Sequence, residues 1–197
     1  MVGFNFFDNI MNLKKIATVF SIPYLAIHII VRFYSKNRDL YNMDQKANLR
    51  YRVNPYTNCL LQFVWYIIML PEYRSLFYKR AGLWGIIMNI YLPKQKCLYI
   101  NTQSREIGGG LVLNHAYSTN INARCIGDNC VVFQNVTIGT NGTPIGPTIG
   151  SNVFFGTGCV VLGEIQIGNN VKIGANAIVV KDIPDNCTVV SKYTVII

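Results

Sequence analysis

The stretch Ile149-GSNVFFGTGCVVLGEIQIGNNVKIGANAIVVKD-Ile183 decides the fold. Ile149, Phe155, Val161, Ile167, Ile173 and Val179 stand six residues apart without a slip. Four residues after each comes Val153, Cys159, Ile165, Val171, Ala177 or Ile183, and Gly150, Gly156, Gly168 and Gly174 follow four of the leading residues. A period of six matches neither the 3.6 of an α-helix nor the 2 of a lone strand. It suits a chain that runs a short strand, turns and runs again, laying each strand on an earlier one, which is the hexapeptide signature of a parallel β-helix. Leading residues and those four places on are expected inside the coil, with Gly or Asn at its corners. Each interior side chain gains about 1.5–3 kcal/mol on burial, and only when coils lie above and below it.

The same period reaches upstream. Ile126, Val132 and Ile138 are six apart, with Cys130 and Val136 inside, and so are Ile107 and Leu113, with Leu111 and Tyr117 at the corresponding interior places. Leu113 to Ile126 is 13 rather than 12 residues, which predicts a one-residue bulge. Between Ile138 and Ile149 the Gly/Pro/Asn-rich run Gly139–Pro147 predicts a loop that leaves the coil and returns. At three strands per coil the repeat supplies four to five coils, and a stack with such exposed flanks favours oligomerisation.

Residues 1–96 differ. They hold 13 Lys/Arg against Asp8, Asp39, Asp44 and Glu72, which accounts for the whole net charge of +9, while residues 97–197 are neutral. The division is a helical N-terminal region, 1–96, and a β-helical domain, 97–197. The neutral repeat half has no nucleic-acid footprint. The uncharged run Ile16–Val31 is too short and too interrupted, by Pro23 and His28, for a membrane span. Helix starts are expected near Asn12 and Asn58, with Pro71 opening another helix. His28 reads as a packing residue. Arg32, Lys36, Arg38, Lys46, Arg50 and Arg52 lie among Phe33, Tyr34, Tyr41 and Tyr51. They read first as a solvated loop surface, and second as a basic face for anionic headgroups or a phosphate-bearing substrate. The six cysteines lack a C-x-x-C pair and accompany no signal-peptide pattern, so they read as reduced thiols of a cytoplasmic protein, without a metal.

His115 is the only imidazole besides His28. It sits just before the bulge, and imidazole is the side chain that exchanges a proton near neutral pH. Around it, Ile107-Gly-Gly-Gly-Leu111, Leu113-Asn-His-Ala116, Ile126-Gly-Asp-Asn-Cys130, Gln134-Asn-Val-Thr-Ile-Gly139, Ile173-Gly-Ala-Asn-Ala177 and Val180-Lys-Asp-Ile-Pro184 follow in order. These motifs resemble the left-handed β-helix acyltransferases, specifically the serine acetyltransferase-like branch. Pro71-Glu-Tyr-Arg-Ser-Leu-Phe-Tyr-Lys-Arg80 resembles the helix before the coils in polysaccharide-cluster members of that branch. The resemblance implies a left-handed parallel β-helix, a homotrimer, and acetyl-CoA as co-substrate in a groove between subunits, with no metal. It implies that His115 is the general base. Gly156, Thr157, Ala175 and Asn176 would flank the pantetheine arm, and Lys181 would meet a CoA phosphate.

Three departures bear on the acceptor. The family's Asp before the catalytic His is Asn114, its His-Pro pair at the end of the loop is Gly146-Pro147, and its upstream acid is Ile100. Its C-terminal Gly-x-Pro-Ala segment is replaced by Ser191–Ile197. Without a carboxylate to hold an ammonium group, the expectation is O-acetylation of a sugar hydroxyl on a surface or capsular polysaccharide precursor. Asn114, Gln134, Asn135 and Asn141 would bind it, and the basic N-terminal half would make peripheral contact with the inner face of the membrane. Serine O-acetylation, should Asp39 or Asp44 reach the site, and amino-sugar N-acetylation are the alternatives.

Overall fold

The computed structural model describes residues 2–191, and side chains from residue 10 onward. Six helices come first: α1 (Val2–Phe20), α2 (Ala26–Tyr34), α3 (Arg38–Tyr51), α4 (Cys59–Met69), α5 (Pro71–Ala81) and α6 (Leu83–Tyr91). Asn58 caps α4, its side-chain oxygen accepting from the N–H groups of Leu60 and Leu61 at 2.9 and 3.2 Å. Pro71 is the first residue of α5, where its missing N–H costs nothing. Asn12, by contrast, lies inside α1 and starts no helix. The apolar run Ile16–Val31 is split by the turn around Pro23 into α1 and α2. No helix among the described residues is long and apolar enough to cross a membrane.

Thirteen short strands follow: β1 (Leu98–Ile100), β2 (Val112–Leu113), β3 (Thr119–Ile121), β4 (Cys125–Ile126), β5 (Val131–Val132), β6 (Thr137–Gly139), β7 (Thr148–Ile149), β8 (Phe154–Phe155), β9 (Val160–Leu162), β10 (Gln166–Ile167), β11 (Lys172–Ile173), β12 (Ile178–Val179) and β13 (Thr188–Val189). They stack in parallel on three faces. Face A is β1-β3-β6-β9-β12, face C is β2-β5-β8-β11-β13, and face B is β4-β7-β10, extended at its ends by bridges at Ile107 and Ile183. The chain therefore visits A, B and C in turn through about five coils. This is the parallel β-helix of hexapeptide repeats that the period predicted.

The interior is the predicted set. Ile149, Phe155, Val161, Ile167, Ile173 and Val179 form one buried column system with Val153, Cys159, Val171 and Ala177, while Ile165 and Ile183 pack at its edge. Burial raises the Cys130 and Cys159 thiols to about 11 and about 12, so both act as small apolar fillers rather than nucleophiles. Asn129, Asn152, Asn170 and Asn186 take the left-handed conformation at the corner between faces B and C. The last three link side chain to side chain at 3.0–3.1 Å.

The register resolves the slip near His115. Leu113 pairs with Val132 and Ile121 with Ile138, so the first passage from face C to face A holds two residues more than the one stacked on it. Ile126 pairs with Ile149, so the next corner is one residue short. The single bulge expected from the interval of 13 is the sum of these two changes. The backbone locates the extra pair at His115 and Ala116, because Asn114 N–H bonds to Val132 O and Asn135 N–H to Tyr117 O, as neighbouring corners do. Ala116 fills the interior place, and Tyr117, expected inside, is exposed.

The helices are bound to the first coil through a buried ion pair. Arg80 on α5 binds Asp44 on α3 through two contacts, Nε–Oδ2 2.7 Å and Nη2–Oδ1 3.1 Å, and donates to the carbonyls of Ile107 and Gly108. Asp44 in turn accepts from Gly110 N–H at 2.8 Å. Burial pushes the Asp44 carboxyl up, while Arg80 and the Gly110 N–H pull it down. The basic cluster is solvated at Lys36, Arg38, Lys46 and Arg50, as expected, but most of it is helix rather than loop and Arg32 is buried. Arg32 donates to Asn42 and Gln45 and lies over the rings of Phe33 and Phe63. His28 packs as expected. It stacks on Phe77 with Nε2 2.9 Å from Tyr78 Oη and Nδ1 3.1 Å from Tyr91 Oη. Tyr78 gives its own proton to Leu92 O, so His28 donates through Nε2 and accepts at Nδ1.

Candidate active site

One corner collects most of the expected site. Between faces C and A, successive coils place Asn114-His115, then Gln134-Asn135, then Gly156-Thr157, then Ala175-Asn176 in a column. The column is stitched by Asn114 N–H to Val132 O, Gly158 N–H to Gln134 O, Gly156 N–H to Ile173 O and Asn176 N–H to Thr157 O, all at 2.8–3.1 Å. His115 is the outward member of the two-residue insertion. Its φ of +53° and a tight bond from Tyr117 N–H to its carbonyl at 2.7 Å turn it out of the coil, and its side chain is exposed. His, like Asn and Asp, enters the left-handed region more readily than most residues, and Ser118 takes it in the same passage.

Below His115 the corner becomes small. Gly156 leaves no room for a side chain: a Cβ there would sit 2.7 Å from Ala175 N and 2.9 Å from Ile173 O. With Gly156, Thr157 and Ala175 in succession, the edge of the lower coils is nearly bare backbone, a surface on which an extended thiol-bearing arm can lie. Gln134 carries a buried side-chain oxygen with no protein partner. A buried acceptor of this kind is costly unless something donates to it.

Two expected members lie elsewhere. Asn141 belongs to the loop between β6 and β7, and Lys181 follows β12, so both are on the corner between faces A and B. Within one chain they are separated from His115 by the width of face A. The reason is arithmetic: residues six apart stand on successive corners and residues eighteen apart on the same one, which joins Thr157 to Ala175 but parts Ala175 from Lys181. Asn141 folds over Gly163, where a Cβ would meet its side-chain nitrogen at 2.9 Å.

Nor does an acid fill the place that Asn114 leaves neutral. Asp44 is locked to Arg80, and Asp39 is exposed without an ion-pair partner among the described residues. Ile100 lies in β1, half-buried against the coil interior. Of the C-terminal replacement Ser191–Ile197, residues 192–197 lie outside the described residues. The sequence reading missed Arg52 and Glu72. Arg52 pairs with Glu72 at 2.6 Å and donates to Leu113 O at 3.0 Å, two residues before His115. Glu72 was in view within the Pro71–Arg80 motif, but nothing local pairs it with a residue twenty positions upstream. The pair is mostly buried and its charges are mutually met.

Known proteins resemble this chain in part. "Bacterial transferase hexapeptide (six repeats)" matches residues 146–181. Serine acetyltransferases of Synechococcus elongatus and Staphylococcus aureus (strain Mu50) are 44% and 43% identical over 89 residues, 43% of this chain and 36% and 42% of theirs. The crystal structure of serine acetyltransferase isoform 3 from Entamoeba histolytica, in complex with cysteine, superposes with a TM-score of 0.63. It is 25% identical, over 83% of this chain and 61% of that one. The chain is thus similar to hexapeptide-repeat transferases over residues 146–181 and to serine acetyltransferases over 89 residues. A second Entamoeba histolytica structure, native serine acetyltransferase 1, covers 93% of this hexapeptide-repeat chain with a TM-score of 0.62 at 23% identity, a likeness of fold. The matched stretch spans only about two fifths of the curated relatives' length. Among the described residues no group of three His, Cys, Asp or Glu side chains could hold a metal ion.

Proposed function

We propose that this protein transfers an acetyl group from acetyl-CoA to an acceptor hydroxyl, with His115 as general base. The observation that carries the reading is the two-residue insertion that presents the one imidazole of the coil at the head of a column of small residues. A hydroxyl is a poor nucleophile at neutral pH. His115 takes its proton as the oxygen attacks and returns it to the departing thiolate, assistance worth roughly 10²–10⁴-fold. Acetyl-CoA supplies the thioester carbonyl. Gly156, Thr157, Ala175 and Asn176 would hold its extended arm, and the unpartnered Gln134 oxygen would accept from a hydroxyl or amide of a bound substrate.

For the acceptor, L-serine is the reading that the relatives favour, since the proteins named above are serine acetyltransferases. The sugar hydroxyl expected from the sequence has no counterpart among them. One observation keeps it as a second reading: Asn114 is neutral, and the nearby Glu72 is already neutralised by Arg52, so the described residues place no free carboxylate beside Asn114 for an ammonium group. A homotrimer joining the His115 corner of one subunit to the Asn141 and Lys181 corner of the next would bring the two parts of the expected site together. The exposed Ile178 and Val180 flank that second corner and suit a subunit contact. Thiol release from acetyl-CoA by the purified chain, with L-serine and a panel of sugars in parallel, tests the reading. Faster release with L-serine supports the first acceptor and faster release with a sugar the second. No release with any hydroxyl acceptor overturns both.

A further inference from the structure

The helical half carries a surface that acetyl transfer does not use. Its two mostly buried acids are already matched, Asp44 by Arg80 and Glu72 by Arg52. Of the positive charge that remains, Arg32 and Arg74 are buried, and the exposed share includes Lys36, Arg38, Lys46, Arg50, Lys94 and Lys96, none of which makes an ion pair among the described residues. Beside these cations stands an apolar face. On α6, Leu83 and Ile90 are each 79% exposed, and Trp84, Ile86 and Ile87 are also open to solvent. On α2, Ile30 and Tyr34 are exposed and share with Trp84 a groove of about 280 Å³, so the two helices present one continuous surface. Scattered exposed apolar residues are ordinary, but a contiguous patch of this kind marks a contact surface.

A second cavity adjoins this face. About 520 Å³ in volume, it lies between α5, α6 and the first coil, with Lys79 and Lys94 facing it along with Ser75, Asn89 and Gln103. Ile86 belongs to both the cavity and the apolar face. No carboxylate lines the cavity. Burial, and then Lys94, hold the Lys79 ammonium below its usual range, as fits two cations without a counter-ion.

We propose that the α2–α6 face rests on an anionic phospholipid surface, with Leu83, Trp84 and Ile90 among the acyl chains and Lys79 and Lys94 taking phosphate headgroups. An apolar face rimmed by cations, with aromatic residues at its edge, is how a helix lies in a bilayer interface. Charge decides against a second copy as the occupant. Two such faces laid together would oppose lysine to lysine, whereas an anionic leaflet attracts every rim cation.

The test uses the full chain and does not read acetyl transfer, so it stands or falls apart from the proposed function. The chain has two tryptophans, Trp65 buried and Trp84 exposed. In a Trp65→Phe background, emission therefore reports Trp84. With vesicles of phosphatidylcholine and phosphatidylglycerol at 3:1, the expected result is a blue shift and co-sedimentation, at least ten-fold weaker on pure phosphatidylcholine and weakened by salt. Ile90→Glu should abolish the shift, and Lys79→Gln with Lys94→Gln should weaken sedimentation while circular dichroism is unchanged. Unshifted Trp84 emission on anionic vesicles would overturn the proposal. So would Ile90→Glu binding as the parent does, or Ile90→Glu lowering the solution mass, which would assign the face to another copy. Equal binding to both vesicle types would overturn the headgroup role of the lysines.

Discussion

Replacing Asp44 with Ala should destabilise the protein more than any surface change, and the geometry sets how much. The Arg80 side chain is fully buried and Asp44 is 3% exposed, so solvent cannot take over either charge. The substitution removes both carboxylate contacts and the acceptor of Gly110 N–H, leaving a buried guanidinium with only the carbonyls of Ile107 and Gly108. Breaking one side of such a pair costs about 3–5 kcal/mol. The orphaned Gly110 N–H, worth about 1–3 kcal/mol alone, is part of the same loss rather than an addition to it. With a urea slope of about 2 kcal/mol per molar, the midpoint should fall by roughly 2 M. The double variant Asp44→Leu with Arg80→Met removes both charges together and should recover at least half the loss, because well-packed apolar substitutes often match a buried ion pair. A midpoint shift below about 0.5 M for Asp44→Ala, or strictly additive losses in the double variant, would refute the claim that this pair holds the helices to the first coil.

Three further outcomes follow from single sites. Gly156→Val should lower the thermal midpoint and cost about 1–3 kcal/mol, since its side chain would meet the backbone of the coil beneath; an unchanged midpoint would mean the coils are farther apart at that corner. His28, held down to about 4 by burial and then by Arg74, is buried neutral. Its contribution is complete above the unfolded value of 6.5 and is lost as pH falls toward 4, up to about 3 kcal/mol, so the acid side of the stability profile of a His28→Phe variant should be flatter over that interval. Cys59 and Cys97, which are exposed, should react with a thiol reagent in the native state, whereas Cys130 and Cys159 should react only on unfolding; rapid native modification of either buried thiol would contradict the packed interior.

The fold was legible because a β-helix writes its register into the chain. Every interior place from Ile149 to Val179 recurs at a fixed interval, and strand pairing adds no choice beyond the next coil. Where the interval slipped, the sequence held only the sum of two changes, an insertion at His115-Ala116 and a deletion one corner later, and only pairing separates them. That Lys181 and Ala175 fall on different corners was readable in advance, since a period of three strands assigns each residue a corner. Arg52 and Glu72 could not have been joined in advance, because Arg52 follows the end of α3, Glu72 lies in the first turn of α5, and Arg52 also reaches a carbonyl of the first coil. Arg32 was read by its charge as surface, yet two aromatic rings and the amides of Asn42 and Gln45 enclose it, contacts that composition does not encode.

The central claim is that the exposed imidazole at the head of the column is the base. The most direct measurement compares His115→Ala with the parent chain for thiol release from acetyl-CoA at saturating acceptor, L-serine first, together with the thermal midpoint of each. The side chain is exposed and makes no side-chain hydrogen bond among the described residues, so the midpoint should hold while the rate falls by about 10²-fold or more. An undiminished rate in the folded variant would contradict the account.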